Sequence, residues 1–168
     1  TVGLPLAPHG LSGFNTCTSS TAACRKGCLD GCGMRSVWEN MHLYKIAKTV
    51  WLFSDPASFL QLLDSELKAK QRQIAKREGN WRLAARLNVF SDIRWEALTS
   101  ETILDTNPDV IFYDYTKHNN RSGWLKSNYY VTFSRSDKNH KVALRQLAAG
   151  FNVAVVFASK RGKQFTTV

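Results

Sequence analysis

Leu87-Asn88-Val89-Phe90-Ser91-Asp92, Val110-Ile111-Phe112-Tyr113-Asp114-Tyr115, Tyr130-Val131-Thr132-Phe133-Ser134-Arg135 and Val153-Ala154-Val155-Val156-Phe157-Ala158-Ser159 decide the fold. Each is a short run rich in β-branched and aromatic residues, the types that suit a pleated, half-buried strand. The aromatic anchors Phe90, Tyr113, Phe133 and Phe157 lie 23, 20 and 24 residues apart. Between the first two runs, Trp95 to Leu104 reads as helix. Between the last two, Asn139 to Ala149 does so again, with Gly150 closing it. Strands that alternate with helices at this period predict βα units and a parallel sheet. The expected fold class is therefore α/β, with about four βα units resembling part of a (β/α) barrel.

Upstream, Ser36 to about Lys48 reads as a helix with Val37, Met41 and Tyr44 along one face. Asp55-Pro56 opens a second helix, since proline suits the first helical position. Phe59, Leu60, Leu63, Leu67 and Ile74 follow at helical spacing, up to Gly79. Lys68, Lys70, Arg72, Lys76 and Arg77 gather late in this helix, where cations suit the dipole, and read as a solvated face. The chain divides into a cysteine-rich segment 1–35, a helical part 36–80 and the repeats of 81–168, all within one domain of 168 residues.

At 43% apolar residues, with five Trp, nine Phe and five Tyr, the chain is no disordered protein. No apolar run approaches the ~18 residues needed to span a bilayer, so no membrane association is expected. Residues 1–13 lack an initiator Met and a charged leading region, so no signal peptide is expected, and a start at Thr1 suits a processed or trimmed chain. No Walker loop, H-E-x-x-H or G-x-S-x-G occurs, which weakens NTPase, metalloprotease and α/β-hydrolase readings. The four histidines sit at no recognisable metal or nucleophile spacing.

Two anomalies remain: a formal charge of +10, and four cysteines, Cys17, Cys24, Cys28 and Cys32, inside sixteen residues. Disulfides suit small secreted chains, and this chain is long enough for a core. Structural zinc sites usually use C-x2-C knuckles, which are absent; the gaps here are six, three and three residues. A C-x3-C-x3-C run spreads its sulfurs and suits the separate irons of a [4Fe-4S] cluster better, with zinc as the alternative. Gly27, Gly31 and Gly33 permit close approach to an inorganic core. Arg25, Lys26 and Arg35 can offset the negative charge of a cluster held by thiolates. A 2+ cluster on four thiolates lowers the net charge to about +8.

If Cys17 is not a ligand, one iron stays open, as in radical enzymes that use S-adenosylmethionine through a C-x3-C-x2-C loop. The triad here is one residue longer. Polar residues at the strand ends (Asn88, Ser91, Asp92, Asp114, Thr116, Lys117, Ser134, Arg135, Ser159 and Lys160) would gather at one edge. Ligands of parallel α/β folds bind at that edge. Asp92, Asp114 and Arg135 are the candidates there for cofactor contact. A third reading is a metal-stabilised nucleic-acid-binding protein, with Trp81, Trp95 and Trp124 available for stacking. The basic charge equally suits an acidic redox partner protein.

Phe14-Asn15-Thr16-Cys17, Thr21-Ala22-Ala23-Cys24-Arg25-Lys26-Gly27-Cys28-Leu29, Arg86-Leu87-Asn88 with Ser91-Asp92-Ile93, Phe112-Tyr113-Asp114-Tyr115-Thr116-Lys117 and Thr132-Phe133-Ser134-Arg135-Ser136 are similar, in order, to the bacteriophage gene product 88 family. The resemblance implies a viral protein acting in the cytoplasm of an infected bacterium. Members of that family continue past a segment like the end of this chain, which implies a shorter version or a trimmed one. It places the cysteines and strand-end motifs among the family's pattern residues, and names an origin rather than a reaction.

Overall fold

The computed structural model describes residues 1–31, 39–99, 101–121 and 126–156. Five strands, β1 (Val2–Gly3), β2 (Ala84–Arg86), β3 (Ile111–Thr116), β4 (Tyr129–Ser134) and β5 (Val153–Ala154), form one sheet. They lie in the spatial order β1-β2-β3-β4-β5, every pair parallel. Four helices are described: α1 (Ala22–Lys26), α2 (Glu39–Ser54), α3 (Pro56–Ala75) and α4 (His140–Ala148). The sheet stays open rather than closing into a barrel, in keeping with the α/β class expected from the repeat.

The register explains which residues form the core. Phe112 is paired with Tyr129, Asp114 with Val131 and Thr116 with Phe133, so these six share one face. In parallel strands neighbours point the same way and alternate along the chain. Phe112, Tyr129 and Phe133 are buried there. Phe59, Leu63 and Leu67, spaced at four residues along α3, pack with Leu52 of α2 against Ala85, Leu87, Phe112 and Tyr129. Each such side chain contributes about 1.5–3 kcal/mol of hydrophobic stabilisation. Helix α4 packs on β4 and β5. Its Gln146 borders a small recess with Val131 and Phe133, which puts it on the same side. The opposite face carries Ile111, Tyr113, Tyr115, Tyr130 and Thr132 and leaves Tyr130 62% exposed.

Several expectations are corrected. The first repeat strand is Ala84–Arg86, not Leu87–Asp92. The Asn88 side chain bonds the backbone of Ile93 at both N–H and C=O, turning the chain out of the sheet. Strand β1 is additional, a two-residue edge too short to show periodicity. Between β2 and β3 there is one 3-10 turn, Trp95–Ala97, where a longer helix was expected. Thr102, Asp105 and Asn107 there bond neighbouring backbone and side chains, and residues of these types compete with helix formation in this way.

Helix α3 opens as expected: Asp55 caps it by accepting from the Ser58 N–H, with Pro56 at the first position. It ends at Ala75, before Gly79. Helix α2 runs on to Ser54 and turns a different face inward from the one expected. Lys45, Thr49 and Leu52 are buried, whereas Tyr44 is exposed; Val37 lies outside the described residues. Two polar residues are accommodated because each is bonded. Lys45 forms a buried ion pair with Asp30, and Thr49 accepts from the Ala7 N–H while donating to the Lys45 carbonyl. Of the fourth expected strand, residues from Phe157 onward, with Ser159 and Lys160, lie outside the described residues.

Candidate functional site

The cysteine segment follows β1 and crosses the C-terminal ends of three neighbouring strands. After buried Leu6, Ala7 and Pro8, the chain loops through His9, whose φ of 37° is in the left-handed region. It returns to Thr16, whose hydroxyl donates to the Ala7 carbonyl at 2.6 Å and whose N–H donates to the His9 carbonyl. The Thr16 carbonyl accepts from the Asp92 N–H at 2.8 Å, and the Cys17 Sγ donates to the Phe90 carbonyl at 3.3 Å. These tie the segment to the loop after β2.

Ser19 Oγ lies 3.2 Å from His118 Nδ1, and Thr18 Oγ1 lies 3.5 Å from its Nε2, in the loop after β3. Thr21 donates to Asp137 Oδ1 at 2.8 Å, in the loop after β4. The same hydroxyl accepts the Cys24 N–H and so caps α1, a role suited to threonine. Beyond α1, the Asp30–Lys45 pair, with His42 3.6 Å from Asp30, fixes the downstream end of the segment to α2.

The cysteines themselves are half-buried at Cys17, Cys24 and Cys28. Burial pushes the Cys17 thiol above its usual range; bonds from the His9 backbone and Thr16 oppose this, while the nearby Asp92 and Cys28 add to it. Cys17 is thus held as a thiol, consistent with its donation to Phe90. Any metal bound there displaces that proton. Among the described residues, no three His, Cys, Asp or Glu side chains gather closely enough to hold one metal ion. Cys32 and Arg35 lie outside the described residues. Arg25 is exposed and donates to the Ser20 carbonyl at 3.0 Å, while Lys26 is exposed beside it.

Beneath the segment lies a largely buried polar network that contains Asn88, Ser91, Asp92, Asp114 and Thr116 of the expected strand-end residues. Asp114 is 1% exposed and accepts from the Asn88 N–H, the Asn88 amide and the Tyr129 hydroxyl. Burial pushes its carboxyl up to about 7, although Arg86, at 3.9 Å, and Arg121 pull the other way. Asp92 accepts from the Thr116 hydroxyl and the Lys117 N–H, clamping the end of β3 to the loop after β2. Both carboxylates are occupied as braces within the protein. Among the described strand-end residues Arg135 is exposed, its N–H bonded to the Ala154 carbonyl.

Three contributors escape the sequence reading. Arg121, 3% exposed, makes a two-point ion pair with Glu96 at 2.8 and 2.6 Å and bonds Tyr129. Its partner lies 25 residues away, so no local spacing signals the pair. His118 is the third, sitting between the cysteine segment and the Asp92 carbonyl at 3.1 Å. Its only sequence signal is its position two residues past the end of β3. Trp95 is 1% exposed with its indole N–H on Asn88, so it cannot stack on a ligand, and Trp124 lies outside the described residues. Trp81 is exposed.

Among the described residues, no helix is long and apolar enough to cross a membrane. No curated protein and no solved structure matches the chain. The family model for Gene product 88 matches residues 2–168. With that match over nearly its whole length, the chain belongs to the phage gene product 88 family.

Proposed function

We propose that the chain binds one [4Fe-4S] cluster through Cys17, Cys24, Cys28 and Cys32 and serves a redox or electron-transfer role in the cytoplasm of the infected bacterium. The observation that carries this reading is the seating of residues 16–21 across the loops after β2, β3 and β4. That edge is where parallel α/β folds hold their ligands. A cluster held by four thiolates requires Cys32 and the release of the Cys17 Sγ from the Phe90 carbonyl. Arg25 and Lys26 supply positive charge beside it, and the chain's basic balance suits an acidic redox partner.

The bond from Cys17 to Phe90 favours a second reading. If it persists, three cysteines hold the cluster and one iron opens toward the strand-end edge, the arrangement of an S-adenosylmethionine radical enzyme. Anaerobic reconstitution with iron and sulfide analysis tests both. Four irons and four sulfides per chain, lost in Cys24→Ser, Cys28→Ser and Cys17→Ser, support the first reading. A cluster that survives Cys17→Ser supports the second. One zinc and no sulfide overturns both.

A further inference from the structure

We propose that the open face of the sheet is a stacking platform for single-stranded nucleic acid. Parallel sheets normally have both faces covered. Here the face opposite the core leaves Tyr115 43% and Tyr130 62% exposed, with Tyr113 half-buried between them. Tyr113 and Tyr130 are register partners on β3 and β4, and Tyr115 is two residues further along β3. The outward positions of these two strands are Ile111, Tyr113, Tyr115, Tyr130, Thr132 and Ser134, so the surface is aromatic and hydroxylated with one aliphatic residue. On β3 and β4 this face offers flat rings and hydroxyls rather than the aliphatic pockets that a protein partner built like a domain core needs. Flat π-faces bordered by hydroxyls suit bases.

Charge selects the same occupant. The Arg86 guanidinium lies 5.1 Å from the Tyr115 ring centre, placing a planar cation within the platform. Lys117 and the exposed Arg135 follow β3 and β4 at the end of the same strands. The chain as a whole carries +10. Spacing selects a single strand over a duplex. Side chains two residues apart on a strand are about 6.6 Å apart, roughly twice the 3.4 Å rise per nucleotide of B-DNA. Bases on successive tyrosines are therefore splayed, as only an unpaired strand allows.

Fluorescence anisotropy with labelled 20-residue oligo(dT), oligo(rU) and a DNA duplex of that length tests the proposal on the full chain. The expected result is binding of a single-stranded probe that weakens steeply with salt and exceeds binding of the duplex. Tyr130→Ala should weaken it about tenfold and Tyr130→Phe by less than about twofold, because stacking needs the ring and not the hydroxyl. Tyr130 is exposed, so a circular dichroism spectrum matching the parent chain accompanies the loss; Tyr115→Ala provides a second exposed position. Absence of binding at low salt, duplex binding as tight as single-strand binding, or an unchanged affinity in both alanine variants overturns the proposal. These readouts involve no cysteine and so stand apart from the fate of the cluster.

Discussion

The network below the strand ends and the cysteine segment above them are built in opposite ways. Below, Asn88, Glu96, Asp114 and Arg121 are each at most 6% exposed and bonded to one another or through Tyr129 and Trp95. Above, Cys24 and Cys28 are half-buried, α1 has only five residues, and the segment is held by one or two hydrogen bonds to each loop. The lower layer is a fixed floor whose carboxylates and amide are already partnered, while Arg121 Nη1 makes no hydrogen bond and only faces the Asp92 carboxylate at 3.7 Å. The upper layer keeps its chemistry-bearing side chains accessible. Conspicuous polar residues at a strand end are thus poor guides to ligand contact when their oxygens already accept from backbone and neighbours.

Breaking the floor should have the largest effect. Arg121→Met leaves Glu96 buried without its cation, and removing one partner of a buried pair typically costs about 3–5 kcal/mol. Urea denaturation should show this loss; a cost below about 1 kcal/mol would mean that the pair is solvated and the floor is not rigid.

Asp114 probes the same layer through pH. Its carboxyl is lifted from 3.8 to about 7, so between those values the folded chain keeps a proton that the unfolded chain has released. The stability this group contributes is therefore full below about pH 4 and falls as pH rises toward 7, by on the order of a few kcal/mol. Asp114→Asn should flatten that part of the stability profile relative to the parent chain. Parallel profiles for the two proteins would contradict the assignment.

The smallest effect belongs to the cap. Thr21→Ala removes the Cys24 N–H acceptor and the bond to Asp137, for about 1 kcal/mol. Its signature should be local: amide exchange faster in residues 21–28 and unchanged in β3 and β4. Faster exchange throughout would show that the two layers open together.

What could be read in advance follows the same division. The parallel sheet was legible because β-rich runs over β3 and β4 are followed by a helical stretch that forms α4, and α3 because Phe59, Leu63 and Leu67 keep helical spacing beside the Asp55-Pro56 opening. The floor was not, since Glu96 and Arg121 meet only through the fold and Asn88 ends β2 by side-chain bonds that no propensity encodes. Asp114 stands out as a carboxylate inside an apolar run, costly to bury unpartnered, and Asp92 only as a polar residue at a strand end. Their partners proved to be the chain's own groups. The buried stripe of α2 was missed because Lys45 and Thr49, polar by type, face inward.

The pairing of β1 with β2 has a further consequence. Val2 meets Ala85 across 83 residues, whereas Phe112 meets Tyr129 across 17. By loop-closure entropy alone, the first contact costs about 1.4 kcal/mol more than the second, and the strand there is two residues long. The cysteines are delivered to the edge by a seam of two register pairs at the margin of the sheet. Leu6 of the same segment is fully buried in the core cluster, so lifting β1 and residues 4–21 off the strand ends withdraws a core side chain and costs more than the segment's hydrogen bonds alone.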